Sequence, residues 1–204
     1  VALVGYTNAG KSTLFNRLTG ADVMAKDMLF ATLDPTMRAV NLDNGLDIIL
    51  SDTVGFISDL PTELVAAFRA TLEEVLAADV ILHVRDISHE VTEDQAHDVR
   101  VILDGLGVRK ETTQLEIWNK IDQMPPDSAE ATRTRAARDD GVLTLSALTG
   151  EGLDDLLAVL DKTLREASHK SQLSLTFAQG KQRAWLFAQE LVETDTQSDT
   201  GFDI

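Results

Sequence analysis

The sequence contains no cysteine, few aromatic residues and far fewer basic than acidic side chains. Without cysteine it has no disulfide framework, which is compatible with a reducing compartment and points most simply to the cytoplasm. Lys and Arg total 18 and Asp and Glu total 34, a formal net charge of −16. Because binding to a phosphate backbone depends on clustered basic side chains, this composition argues against strong nucleic-acid binding by the chain alone.

Long apolar runs are also missing. Stretches such as residues 80–84 are far shorter than the roughly 20 apolar residues of a membrane-spanning helix, and no segment resembles a signal peptide. The apolar fraction of 44% and the charged fraction of 25% are those of an ordinary globular protein. We therefore expect no membrane span, one principal domain with an appendage, and a monomer.

The hydrophobic pattern alternates between strands and helices. Strands are predicted over 1–4, 39–42, 47–50, 80–84, 114–118 and 142–145, and helices over 11–19, 61–77, 93–106, 129–138 and 153–164. Strands separated by helices imply right-handed crossovers and a mainly parallel sheet with helices on both faces. Asn44 and Gly45 suit a tight hairpin, which adds one antiparallel edge strand. The predicted fold class is an α/β three-layer sandwich.

The two ends of the chain differ from this pattern. The chain begins at Val1 inside an apolar, strand-prone run and has no initiator methionine, so we expect it to be a piece of a longer protein. We predict a main domain over 1–168 and the start of a small C-terminal unit over 169–204. That unit should contain a strand near 173–177 and a helix over 180–192. Residues 190–204 carry five acidic and no basic side chains, which predicts a mobile tail.

A phosphate-binding loop follows the first predicted strand. GYTNAGKS, from Gly5 to Ser12, fits G-x-x-x-x-G-K-[ST] and opens a predicted helix, as this motif requires in P-loop NTPases. Lys11 is expected to reach the β and γ phosphates, Ser12 to bind Mg²⁺, and Thr13 to bond the α phosphate. The predicted nucleotide contacts here are Gly5, Tyr6, Thr7, Asn8, Ala9, Gly10, Lys11, Ser12 and Thr13.

A second motif, Asp52-Thr53-Val54-Gly55, ends the strand after the hairpin. Asp52 suits Mg²⁺ binding through a water molecule, and the Gly55 N–H can meet the γ phosphate. In the Ras-like arrangement the next residue is a glutamine that orients the attacking water. Here it is Phe56, which has no polar atom for that task.

Two further motifs select the base. In Asn119-Lys120-Ile121-Asp122, the Asp122 carboxylate can accept two hydrogen bonds from guanine, which adenine cannot offer. Backbone N–H groups of Ser146-Ala147-Leu148 can meet the guanine 6-oxo group. The order of the motifs predicts GTP rather than ATP. Thr32 and Thr36, in the irregular stretch before the hairpin, are both candidates to close over the γ phosphate.

Two other groups of side chains are less informative. Histidines 83, 89, 97 and 169 show no metal-ligand spacing, and we expect surface or core roles for them. Bases beside aromatics at 181–187 could stack on RNA. Packing of Trp185 and Phe187 against the main domain is the favoured alternative.

The sequence contains the long segments VALVGYTNAGKSTLFNRLTG, LFATLDPTMR, LSDTVGFISDLPTELVAAFRATLEE and ADVILHVRDIS, together with NKID and a later RAWLF. The first five segments resemble the HflX family of translation-factor-class GTPases, and RAWLF resembles part of that family's C-terminal unit. The resemblance implies a cytoplasmic GTPase that binds the large ribosomal subunit, and some members split ribosomes. It also implies that the family's N-terminal domain is absent from this chain.

The resemblance assigns further site residues. It places the switch threonine in FATLD, which favours Thr32 as the Mg²⁺ ligand and adds Phe30, Ala31, Leu33 and Asp34 to the nucleotide contacts. GTPases with a hydrophobic residue at the position of Phe56 position water by other means, one of which is a potassium ion held partly by a P-loop asparagine, here Asn8. We expect slow intrinsic hydrolysis that the ribosome stimulates. The alternative is a GTP/GDP-binding module that does not hydrolyse.

Overall fold

The structure is a computed structural model of the chain. It describes residues 1–21, 36–42, 45–56, 73–109, 111–167, 172–189, 191–192 and 194–204. Two compact units are present, Val1–Arg165 and Glu166–Ile204. The boundary between them falls slightly before the predicted one at residue 168.

The first unit contains a sheet of six described strands. In chain order they are β1 (Ala2–Val4), β2 (Thr36–Asn41), β3 (Asp47–Asp52), β4 (Val80–Asp86), β5 (Thr113–Asn119) and β6 (Val142–Thr144). Their order across the sheet is β2-β3-β1-β4-β5-β6. Only the β2–β3 pair is antiparallel among these neighbours, and β2 lies at the edge. The predicted mostly parallel α/β sheet with one antiparallel edge strand is confirmed.

Helices cover both faces of this sheet. They are α1 (Lys11–Thr19), α2 (residues 73–77), α3 (Thr92–Leu106), α4 (Pro126–Ala136) and α5 (Leu153–Ala167). Successive strand residues point to opposite faces, so Leu3 packs in a core cluster with α1 and α5. Ala2 and Val4 pack in a second cluster with Val75, Val99 and other residues of α2 and α3. These two clusters make the predicted three layers.

Several predicted boundaries need correction. Thr36 was expected in an irregular loop, but it is the first residue of β2 and lies opposite Asp52. Helix α4 begins at Pro126 rather than residue 129, because proline fits the first turn of a helix, where its missing N–H costs nothing. Of the predicted helix over 61–77, only residues 73–77 are described. The hairpin is confirmed by the antiparallel pairing of β2 with β3 and by Gly45, which has φ 83° and donates to the carbonyl of Leu42. Asn44 lies outside the described residues.

The second unit is a small antiparallel sheet with one helix. Its described elements are β7 (Ser174–Thr176), α6 (Gly180–Ala188), β8 (Thr196–Gln197) and β9 (Gly201–Asp203), and the sheet order is β7-β9-β8. Helix α6 ends at Ala188, before the predicted residue 192. Trp185, which lies on this helix, is exposed.

The acidic C-terminal segment was expected to be a mobile tail, and its described residues instead supply two strands. Two of its acidic side chains have partners in the second unit. Asp195 forms an ion pair with Arg183 of α6, and Asp203 accepts a 2.6 Å hydrogen bond from Ser174 Oγ. The Arg183 guanidinium also lies 4.2 Å from the ring centre of Phe202 in β9. Asp195 and Asp203 are therefore held by the structured part of the unit.

Candidate functional site

The loop after β1 has the backbone conformation that phosphate binding requires. Gly5 has φ 151°, and a Cβ there would lie 2.1 Å from the carbonyl oxygen of Val84. Gly10 has φ 98°, and a Cβ there would lie 2.2 Å from Asn119 Nδ2. Asn8 also has a positive φ, of 61°, and is exposed. The loop therefore curls tightly and leads into the N-terminus of α1, which attracts anions.

Lys11 lies inside this loop. Its side chain is buried, with 6% exposure, and its Nζ donates to the carbonyls of Gly5 at 3.2 Å and Tyr6 at 3.0 Å. Burial lowers the pKa of Lys11 to about 8, and the Asp52 carboxylate partly offsets that effect. A cation held in this way against backbone carbonyls is available to bind phosphate oxygens instead.

Ser12 and Asp52 come together because β1 and β3 are neighbours. The strand register sets Leu3 beside Asp52, and Ser12 Oγ donates a 2.7 Å hydrogen bond to Asp52 Oδ2. Asp52 is fully buried, and the next residue, Thr53, donates to the carbonyl of Leu3 at 2.5 Å. A hydroxyl and a carboxylate are hard oxygen ligands, so this donor set fits Mg²⁺.

Gly55 and Phe56 pack directly on the phosphate loop. A Cβ on Gly55 would lie 2.9 Å from Thr7 Cα and 3.0 Å from Lys11 Nζ. The Phe56 N–H donates to the Gly5 carbonyl at 3.1 Å. The Phe56 side chain is 1% exposed and belongs to the core cluster of α2 and α3. Phe56 is thus a core residue at the base of the site.

Asn119 connects the phosphate loop to the two base-selecting motifs. Its Nδ2 donates to the Ala9 carbonyl at 2.8 Å, and its Oδ1 accepts from the Ala147 N–H at 2.9 Å. The Ile121 N–H donates to the Leu145 carbonyl at 3.3 Å. Asp122 is exposed at the end of this cluster, and Leu148 is 69% exposed. Segments 5–13, 119–122 and 146–148 therefore form one continuous edge.

Sequence reasoning missed two residues that contact this edge. Asp86 ends β4, and its Oδ2 accepts a 2.7 Å bond from Lys120 Nζ. Its place at the carboxyl end of a strand, beside the next strand's motif, could have identified it. Arg17, in the last turn of α1, donates to the Thr149 carbonyl at 2.8 Å. No pattern in the sequence signals a side chain that binds a distant backbone carbonyl.

The remaining predicted residues fall outside the site or outside the description. Phe30, Ala31, Thr32, Leu33 and Asp34 lie outside the described residues, so the assignment of Thr32 stays a prediction. Burial lowers the pKa of His83 to about 4, as befits a core histidine. His89 and His97 are exposed, and His169 is outside the description.

No group of three or more His, Asp or Glu side chains among the described residues could hold a metal ion. None of the helices in the described ranges is long and apolar enough to cross a membrane.

Comparisons agree with this geometry. Residues 1–120 match the family model described as 50S ribosome-binding GTPase, and the chain belongs to this class of GTPases. It is 50% identical over 186 residues to GTPase HflX of Magnetococcus marinus, covering 91% of this chain and 41% of that protein. It is 39% identical over 201 residues to GTPase HflX of Escherichia coli, covering 98% and 47%. Within that class the chain is of the HflX family, as its motifs predicted.

The chain spans less than half the length of these curated relatives. Among solved structures, a GTP-binding protein from Sulfolobus solfataricus, crystallised with GDP, is 29% identical with a TM-score of 0.65. That match covers 82% of this chain and 52% of the other. The same fold therefore holds a guanine nucleotide in that protein.

Proposed function

We propose that this chain is a GTP-hydrolysing molecular switch that binds GTP with Mg²⁺. The observation that carries the proposal is the double contact of Asn119, to Ala9 in the phosphate loop and to Ala147 beside the predicted base site. A single side chain thereby fixes the distance between a phosphate cradle and a base pocket. This arrangement suits a nucleotide, and the Asp122 carboxylate makes the site specific for guanine.

The residues divide the work according to their chemistry. Lys11 exchanges its carbonyl partners for phosphate oxygens, and loop N–H groups surround the phosphates. Ser12 and Asp52 are the residues that would hold Mg²⁺, with Thr32 as the predicted third. Mg²⁺ supplies charge neutralisation at the phosphates. The Gly55 N–H is expected to meet the γ phosphate, and loss of that contact after hydrolysis would release the switch.

Hydrolysis by the isolated chain is expected to be slow. Phe56 is buried in the core and has no polar side-chain atom with which to orient water. An added finger residue typically contributes about 10³ to 10⁵ in rate. We propose that the large ribosomal subunit supplies this stimulation in the cytoplasm, during ribosome splitting or recycling, and that a potassium ion near Asn8 assists.

A second function, a GTP/GDP-binding module without hydrolysis, is also supported by the burial of Phe56. Its output would be partner binding alone. The two functions differ in one observable, the release of phosphate from bound GTP. A single-turnover assay separates them, since a binding module releases no phosphate in either potassium or sodium buffer.

The test of the ribosomal part is the rate of GTP hydrolysis with and without purified large subunits, in potassium and in sodium. We expect a rise of at least about tenfold with saturating subunits. Because the chain spans less than half of its relatives, the subunits must be titrated to saturation. The Lys11→Ala variant is the control for contaminating hydrolases. Equal rates with and without subunits at every concentration would refute the ribosomal role.

A further inference from the structure

The segment 146–152, which carries the predicted contacts to the guanine 6-oxo group, is a closed turn. The Ser146 N–H donates to the Glu151 carbonyl at 3.0 Å, and the Gly150 N–H donates to the Ser146 carbonyl at 2.8 Å. The Thr149 N–H donates to Ser146 Oγ at 3.1 Å. These hydrogen bonds hold the turn as a unit. A contact that fixes the position of Thr149 therefore also fixes the position of the Ala147 N–H.

Arg17 makes such a contact from outside the turn. Its Nη2 donates to the Thr149 carbonyl at 2.8 Å. Gly150 makes room for it, because a Cβ there would lie 2.7 Å from Nη2, and its φ of 96° also favours glycine. The guanidinium therefore packs against the backbone of the turn, where no side chain intervenes.

The helix that carries Arg17 also carries the phosphate-binding residues. Helix α1 begins at Lys11 and ends at Thr19. At about 1.5 Å per residue, Lys11 and Arg17 are separated by roughly 9 Å along its axis. One rigid helix thus contacts the phosphate site at its start and the base-reading turn near its end. Arg133 of α4 also contacts this turn, through an ion pair with the Glu151 side chain at 2.6 Å.

We propose that Arg17 is a positioning residue for guanine recognition, which holds the 146–148 N–H groups at the height of the 6-oxo oxygen. The proposal rests on the proposed function, because it assumes that this turn meets the base. Arg17 is exposed, so its removal should barely change the stability of the fold. Removal of the Arg17 side chain should lower the affinity for guanine nucleotides. It should therefore raise KM for GTP without lowering kcat.

The experiment measures binding of GDP, 6-thio-GDP and ADP to nucleotide-free chain by calorimetry. Sulfur is a weak hydrogen-bond acceptor, so 6-thio-GDP weakens the 6-oxo contact while keeping the N1–H and 2-amino donors that face Asp122. Arg17→Ala should weaken GDP binding by roughly 5- to 20-fold, the range expected when a charge-assisted hydrogen bond that orders a binding turn is lost. The same substitution should weaken the binding of 6-thio-GDP by a smaller factor. The ratio of GDP affinity to 6-thio-GDP affinity should therefore be smaller in Arg17→Ala than in the wild type. The exposed Arg138→Ala is the matched control and should change neither.

A second variant tests the same contact from its partner. Gly150→Ala places a methyl group against Arg17 and should weaken GDP binding in the wild-type background. In the Arg17→Ala background its cost should be smaller, because the collision is gone. Thermal unfolding without nucleotide should show all variants folded.

Three outcomes would overturn the proposal: unchanged GDP affinity in Arg17→Ala, equal weakening of GDP and 6-thio-GDP, or a strictly additive double variant. A wild-type chain that does not prefer GDP to ADP would instead overturn the proposed function. The two failures are therefore distinguishable.

Discussion

The carbonyl of Phe56 accepts a 2.8 Å hydrogen bond from the Thr7 N–H in the phosphate loop. Together with the Phe56 N–H bond to Gly5, it extends the pairing of β1 and β3 beyond the ends of both strands. The side chain is enclosed by the core cluster that contains Val54 and Ile81. The residue that replaces the water-orienting glutamine thus anchors the segment after Gly55 to the phosphate loop.

Phe56→Gln should therefore harm the fold without creating a catalyst. Replacing a buried ring with an amide loses apolar burial and buries a polar group, so we expect the free energy of unfolding to fall by about 2–4 kcal/mol. Phe56→Leu is the control and should lose roughly 1 kcal/mol. Urea unfolding and single-turnover hydrolysis measure both effects. A Gln variant that hydrolyses GTP faster than the wild type would show that Phe56 faces the reacting water.

Ser12→Ala should abolish the response of nucleotide binding to Mg²⁺. The variant removes the hydroxyl that lies 2.7 Å from Asp52 Oδ2 and leaves the lysine and the loop in place. We expect Mg²⁺ to strengthen GTP binding to the wild type. In the presence of Mg²⁺, the GTP affinity of Ser12→Ala should be lower than that of the wild type by at least about tenfold. Titration with and without a chelator measures it. Ser12→Thr keeps a hydroxyl and should keep the response; a full response in Ser12→Ala would contradict the assignment.

The stability of the nucleotide-free chain should depend on the ionisation of Lys11. Its folded pKa of about 8 lies below the value of 10.5 for a solvated lysine. Between these values the unfolded chain binds more protons, so the cost of burying the charge is present below pH 8 and relieved as the pH rises.

We expect the free energy of unfolding to rise by about 1–2 kcal/mol from pH 8 to 9.5 because of this residue. Denaturant unfolding across that range, compared with Lys11→Met, isolates the contribution. The Met variant should show a correspondingly flatter profile. Parallel profiles for the two proteins would mean that Lys11 is charged throughout.

Asp122→Asn should change the preferred base. The carboxylate accepts two hydrogen bonds from guanine, whereas an amide offers a donor that suits the 2-oxo group of xanthine. We expect GDP affinity to fall by at least about 100-fold and xanthosine diphosphate affinity to rise. Competition binding against a fluorescent nucleotide measures both. An unchanged preference for GDP would refute the base-recognition argument.

Much of the fold and most of the described site follow from local patterns. The phosphate loop could be predicted because a single stretch of eight residues contains everything it needs. Gly5 and Gly10 allow the required backbone geometry, and Lys11 supplies the positive charge. The sheet follows from apolar strands that alternate with helices. Ser12 and Asp52 were also predicted to serve the same Mg²⁺ ion, and the structure brings their side chains within hydrogen-bond distance.

What could not be predicted depends on partners that are distant in sequence. Strands β8 and β9 are two and three residues long, too short for a hydrophobic period to show, and their acidic residues suggested mobility. The partner that neutralises Asp195 is Arg183, which only the fold brings near. Arg17 binds a carbonyl 132 residues away. Because every residue has a backbone carbonyl, the sequence does not indicate which one a side chain will bind.

The most direct test of the central claim is a single-turnover measurement of phosphate release from GTP bound to this chain, in potassium buffer with Mg²⁺. The account predicts slow but complete release by the wild type and Phe56→Leu, and release reduced to background in Lys11→Ala. Release indistinguishable from background in the wild type, with GTP shown to be bound, would contradict the account and leave a nucleotide-binding module without hydrolysis.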